Sequence, residues 1–253
     1  MKITSRQNER VKGLLELREK SGRERGKFII EGDREIERAR NSRRVRPLEC
    51  WFCGEQPNWG ITSIEVSPCV FEKISYRGSS HGALMVAAMD LWTLDEVTLD
   101  GAALVLVAES IEKPGNLGAL MRTAESVGAT ALVYNGLTDL LNPNVIRAST
   151  GTLFSLPVIA CDSETALSFF QKHTIRCIAT TPHATTPYWQ ADFTHSAAIW
   201  IGSENEGLLT STMNACQQQV SIPQKGSFAD SLNANVAAAL VLYEAIRQRT
   251  LNH

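Results

Sequence analysis

No apolar run in the 253 residues is long enough to cross a bilayer, and the opening Met1-Lys2-Ile3-Thr4-Ser5-Arg6-Gln7 lacks the apolar core of a secretory signal. The expectation is a soluble, cytoplasmic protein with no membrane partner. Cysteine lacks pattern rather than number. Of the six, at 50, 53, 69, 161, 177 and 216, only Cys50-Trp51-Phe52-Cys53 has metal or redox spacing, and no second pair or nearby His completes a zinc set. That pair lies in the apolar run Leu48–Cys53, where strand alternation sends the two side chains to opposite faces. Both read as small buried hydrophobes, so neither a metal nor a disulfide framework is expected. Internal repeats and low-complexity tracts are also missing.

Two nucleotide signatures are absent as well. A Rossmann fold needs Gly-x-Gly-x-x-Gly after its first strand and an acidic residue ending the second. Here the first turn is Glu112-Lys113-Pro114-Gly115-Asn116-Leu117-Gly118, and the second strand runs into Tyr134-Asn135-Gly136. The phosphate-binding P-loop is not present either. Hydride transfer and nucleoside triphosphate hydrolysis are therefore disfavoured.

What is present is a charge asymmetry. The net charge of -2 divides into +7 over residues 1–46 and -9 over the remainder. A basic segment on an acidic body suggests a footprint for a polyanion, although interleaved charges such as Glu16-Leu17-Arg18-Glu19-Lys20 also suit a solvated helix face. Hydrophobic content of 43% is ample for a packed core.

Periodicity divides the chain in two. Helical spacing over Ser5 to about Lys20 (Val11, Leu14, Leu15, Leu17), with Ser5 as a plausible cap, precedes a strand at Lys27–Gly32. A helix at Arg34–Arg40, a strand at Leu48–Phe52, a helix at Pro68–Tyr76 and a strand at Ala83–Ala88 complete a small α/β domain over residues 1–90. The polar, acidic stretch 91–101 reads as a linker. From 102 to 253, strands near Ala103–Ala108, Ala131–Tyr134, Pro157–Ala160, Ile175–Ala179, Ile199–Gly202 and Gln219–Ile222 alternate with helical patterns. These helices include Leu117–Val127, Val145–Phe154, Glu164–Lys172 and Leu232–Arg249. Such alternation predicts a parallel sheet covered on both faces, a doubly wound α/β domain.

Three strand-end segments carry a family resemblance: Asn116-Leu117-Gly118-Ala119-Leu120-Met121-Arg122, Ile201-Gly202-Ser203-Glu204-Asn205-Glu206-Gly207-Leu208, and Val220-Ser221-Ile222-Pro223 running on to Ser231-Leu232-Asn233. In this order they resemble the signature motifs of the SpoU (TrmH) family of RNA ribose 2′-O-methyltransferases, within the SPOUT superfamily, over residues 103–249. The opening Ser5–Lys12 and Phe28-Ile29-Ile30-Glu31-Gly32 resemble the L30-like RNA-binding domain that many members carry. The resemblance implies a trefoil knot, S-adenosyl-L-methionine as cofactor, a homodimer, and an RNA substrate, with ribosomal RNA favoured and transfer RNA the alternative. A non-catalytic RNA-binding or ribosome-assembly factor of the same fold is the rival class.

By that resemblance Asn116, Arg122, Glu204, Ser231 and Asn233 form the catalytic set. Ala179, Thr180, Gly202, Gly207, Ile222 and Leu232 form the cofactor site. Arg6, Arg10, Lys12 and Arg147 are the expected RNA contacts. A guanidinium stays protonated in proteins, so Arg122 is expected to bind a phosphate or the developing alkoxide rather than to act as a base. Asn116 and Asn233 also suit helix capping, and Gly202 and Gly207 suit close approach of backbone to a ligand. Two features depart from the family pattern: Ser227–Asp230 makes one loop a residue longer, and Asn235 replaces a common Ser.

Overall fold

The computed structural model describes residues 2–19, 23, 26–226 and 232–251, which gather into two compact units. The first comprises Met1–Leu91 with Asp139–Ser155, and the second comprises Trp92–Thr138 with Leu156–His253. Segment 139–155, C-terminal by chain order, thus belongs by contact with the first unit.

In the first unit, α1 (Glu9–Glu16), β1 (Lys27–Glu31), α2 (Asp33–Asn41), β2 (Val45–Cys53), β3 (Thr62–Glu65), α3 (Pro68–Ile74) and β4 (Gly82–Met89) build a four-stranded sheet of order β1-β4-β2-β3. Strand β4 runs antiparallel to both β1 and β2, while β3 is parallel to β2. Helix α1 starts later than Ser5. Asn8 is the cap, its Oδ1 accepting from the Arg10 amide at 2.9 Å, because Asn in an extended conformation reaches an orphan N–H of the first turn. Val11 and Leu14 are then buried against Ile29, Trp51 and Val86, each contributing about 2 kcal/mol. Cys50 and Cys53 are both buried, and burial raises the Cys50 thiol to about 11. Among the described residues no cluster of His, Cys, Asp and Glu could hold a metal.

The helix expected over Val145–Phe154 is broken. Helix α5 (Pro143–Ala148) stops, and a separate single turn follows at Thr152–Phe154. Thr150 (φ 56°) and Gly151 (φ 81°) between them adopt left-handed backbone that no continuous helix admits.

The second unit holds β5 (Leu104–Glu109), α4 (Pro114–Ser126), β6 (Ala131–Asn135), β7 (Val158–Ala160), α6 (Ser163–Lys172), β8 (Arg176–Thr180), β9 (Ala197–Ile201), α7 (Thr210–Ala215), β10 (Gln218–Val220) and α8 (Ala234–Leu251). The six strands are parallel, in the order β10-β8-β9-β5-β6-β7. Every residue of β5 is buried, as its unbroken apolar run requires in a sheet covered on both faces. The expected linker is not a loose tether. Trp92 bridges to Ile159, and Leu94, Val97 and Leu99 pack against the core of this sheet. No described helix is long and apolar enough to cross a membrane.

Candidate active site

In a parallel sheet the C-terminal strand ends all open toward one edge, and ligands of such folds lie there. The ends of β8 and β9, with the segment after β10 and the start of α8, enclose a cleft of about 550 Å³, counting its open mouth. Thr180, Gly202, Gly207, Ile222 and Leu232, all named from the sequence, line it. Ala179 does not. It is fully buried in the core one residue earlier, where strand alternation points it away. Sequence reasoning missed Thr181, Pro182, Gln224 and Ala237. The first two follow a predicted strand end, which was the available signal, whereas Gln224 and Ala237 carry none.

Gly202 is needed for a different reason than ligand approach. A Cβ there would lie 2.1 Å from the carbonyl carbon of Gly207, because the loop folds back on itself through a Ser203–Gly207 bridge. Gly207, at φ +71°, supplies the left-handed turn. The loop is anchored behind by Glu109 at the end of β5, a residue the sequence reading passed over. This buried carboxylate accepts from the Leu209 amide at 2.8 Å, from Thr212 Oγ1 at 2.7 Å and from Ser163 Oγ. Three donors offset the cost of burying its charge.

A second cleft, lined by Ser110, Lys113, Asn116, Ser203, Glu204 and Glu206 among others, adjoins the first and shares Ser203 and Glu204 with it. Glu204 is the hub of that shared wall. Its Oε1 accepts from Asn116 Nδ2 at 3.1 Å and from Asn233 Nδ2, and its Oε2 lies 3.6 Å from Lys113 Nζ. Asn116 is not a cap. Helix α4 begins at Pro114, with Lys113 at the cap position, so the Asn116 side chain stands free inside the first turn to reach Glu204. Asn233 does both jobs: its Oδ1 accepts from the Asn235 amide at 3.0 Å at the start of α8 while its Nδ2 serves Glu204. Asn235, the departure from the family pattern, accepts from Thr123 Oγ1 at 2.7 Å and so ties α8 to α4. Glu206 is an exposed neighbour.

The remaining predicted residues fall elsewhere. Arg122 is exposed on α4 and lines neither cleft. Its offset from Asn116, six residues along a helix, points it to another face. Ser231 lies outside the described residues. Arg147 is exposed on α5, in the first unit. Arg6, Arg10 and Lys12 each carry a carboxylate partner: Glu72 at 3.3 Å, Glu49 at 3.1 Å and Glu9 at 2.7 Å.

Comparison with known proteins identifies the family. The model of the SpoU rRNA methylase family matches residues 103–243, and that of the MRM3-like substrate binding domain matches residues 8–85. An uncharacterized tRNA/rRNA methyltransferase of Synechocystis sp. is 31% identical, covering 98% of this chain and 94% of that protein. The 23S rRNA (guanosine-2′-O-)-methyltransferase RlmB of Pasteurella multocida is 30% identical over 84% of this chain and 88% of its own. A crystal structure of an RNA 2′-O ribose methyltransferase superposes with TM-score 0.86 at 42% identity, covering 99% of this chain and 100% of that one. The SpoU methyltransferase AviRb from Streptomyces viridochromogenes, solved with AdoMet, gives TM-score 0.87 at 27% identity, covering 96% and 99%. With the motifs, the parallel sheet and the family match in agreement, this chain belongs to the SpoU family of RNA methyltransferases.

Proposed function

We infer that the protein is an S-adenosylmethionine-dependent RNA 2′-O-ribose methyltransferase acting on ribosomal RNA. One observation carries the reading: Glu204, Asn116 and Asn233 meet on the wall between two adjoining clefts at the C-terminal edge of the sheet. Direct transfer between two bound molecules needs the reacting atoms to meet about 3–3.5 Å apart, and adjoining clefts that share Ser203 and Glu204 hold two reactants side by side at that border.

The first cleft suits the cofactor. Ile201, Ile222 and Leu232 offer apolar walls for an adenine ring, and strand-end main chain at Thr180 to Pro182 can read its edge. The hydroxyl of Thr180 is buried without a hydrogen-bond partner among the described residues, an unmet polar group in the lining. S-adenosylmethionine, when bound, supplies an electrophilic methyl group. The chain's own residues orient and stabilise. Glu204 fixes the Asn116 and Asn233 amides, and Arg122, which stays protonated, stabilises negative charge on the 2′-oxygen as its proton passes to water.

A homodimer completes the reading. Val236, Leu240 and Tyr243 form an exposed apolar stripe along one face of α8, and Tyr243 Oη approaches Ser126 Oγ of α4 at 3.4 Å. A second copy covering this face accounts for Arg122 standing exposed on α4, outside the cleft of its own chain. The strand order, with β9 between β5 and β8 and with α8 returning to α4 and β9, is consistent with a trefoil knot in the 102–253 domain. Residues 1–90 form the RNA-recruiting domain, and the enzyme works in the cytoplasm, where ribosomal RNA is found.

The deciding experiment incubates the full chain with ribosomal RNA and S-adenosylmethionine carrying a labelled methyl group, then maps the product. Label on a ribose 2′-oxygen is expected. Label on a base, or no transfer to any RNA, would overturn the reading. Transfer to transfer RNA alone would keep the chemistry and change the substrate.

A further inference from the structure

Recruitment of RNA by the first unit, on which the following rests, leaves open which face takes the strand. Arg6, just before α1, and Arg10 and Lys12, on it, are each engaged with a carboxylate. Lys27 and Arg46 differ. Both are exposed, and among the described residues neither side chain has an ion-pair or hydrogen-bond partner.

These two lie in one row of the sheet. Lys27 on β1 and Arg46 on β2 both register with Ala88 on the intervening β4. Aligned residues on neighbouring strands project to the same face, and two strand spacings separate the pair by about 9.6 Å. All three residues line a cleft of about 1570 Å³, counting its open mouth, at the end of the sheet face that α1 covers. The small Ala88 leaves a trough between the two cations. Leu17, Leu48, Val86 and Met89 give it an apolar floor, and Glu16 and Asp90 stand at its walls.

The lining as a whole is not strongly basic, since its cations are matched in number by carboxylates. What distinguishes it is two cations with no partner among the described residues, beside an apolar floor with acceptor groups at its edge. A duplex presents phosphates and 2′-hydroxyls and has no use for that floor. A single strand presents both a backbone for the cations and unstacked bases whose faces suit apolar surface and whose amino edges suit carboxylates.

We propose that this trough is a subsite for single-stranded RNA, in which Lys27 and Arg46 hold backbone phosphates and the floor takes an unstacked base. The test uses the full-length protein, a short fluorescein-labelled single strand and a duplex of equal length, titrated at several salt concentrations. Lys27→Gln with Arg46→Gln should weaken single-strand binding at least about tenfold and flatten the salt slope by about 0.7 for each lost phosphate contact. The S-adenosylmethionine-induced rise in melting temperature should persist in that double variant, showing that the fold and the cofactor cleft remain intact. Unchanged affinity and slope in the double variant would overturn the proposal, as would equal affinity for duplex and single strand. The parallel triple variant Arg6→Gln, Arg10→Gln, Lys12→Gln separates the cases. Weakening there alone would move the RNA face to α1 and leave recruitment by this unit standing. No weakening in either variant would remove both.

Discussion

At the scale of single residues, the site depends on groups whose importance has different physical origins. On the proposed mechanism Arg122 stabilises charge that exists only in the transition state, so Arg122→Ala should lower turnover about a hundredfold or more with cofactor affinity nearly unchanged. Steady-state rates with calorimetry for the cofactor would check this, and wild-type turnover would remove Arg122 from the machinery. Arg122→Lys should rescue little, because the planar fork is lost. Gly202 is demanded by its own loop. A methyl group there collides with the Gly207 backbone, so Gly202→Ala should destabilise the fold by roughly 1–3 kcal/mol, read as a lower melting temperature. An unchanged melting temperature with cofactor binding abolished would restore ligand approach as the reason for the glycine. Resemblance to the SpoU family motifs singled out Asn116, Glu204 and Asn233 in the sequence. Their meeting point was not legible there, since it needs three strand ends brought together. Nor was Glu109 legible, because a lone carboxylate after an apolar run looks like any solvated strand end.

At the scale of elements, apolar runs located the central strands of the parallel sheet to within a few residues, because strands buried on both faces, such as β5 and β9, leave uninterrupted apolar signals. Helix ends were less legible. The start of α4 at Pro114 and the break after Ala148 depend on local backbone choices that periodicity does not encode. Helix α8 shows a related limit. Ala238, Val241, Leu242 and Ala245 face the core while Val236, Leu240 and Tyr243 face outward, so both sides are apolar for separate reasons. An apolar residue does not reveal from sequence whether it meets its own chain or another copy. If the outward stripe is a dimer seam, Leu240→Glu with Tyr243→Glu should shift the protein to monomers in light scattering and depress turnover. Retention of the wild-type oligomeric state by this double variant would place any dimer contact elsewhere.

For the molecule as a whole, the two units invite separable assays. S-adenosylmethionine should raise the melting temperature by binding the native state, whereas NAD and ATP should leave it unmoved, since the chain has neither of their signature loops. Equal shifts with all three would mean non-specific binding. The order of the six-stranded sheet has a further consequence, for the way the protein is made. Strand β5 pairs on one side with β6, close behind it in the chain, and on the other with β9, whose neighbouring contact from Ala103 to Ser196 spans 93 residues. During synthesis the first pairing can form early, but the second must wait for β9 to emerge. The wall carrying Glu204 follows β9 directly, and Asn233 comes later still. A nascent chain can therefore hold a folded first unit well before it has the proposed active site, and on that reading methyl transfer begins only after almost the whole described chain has been made.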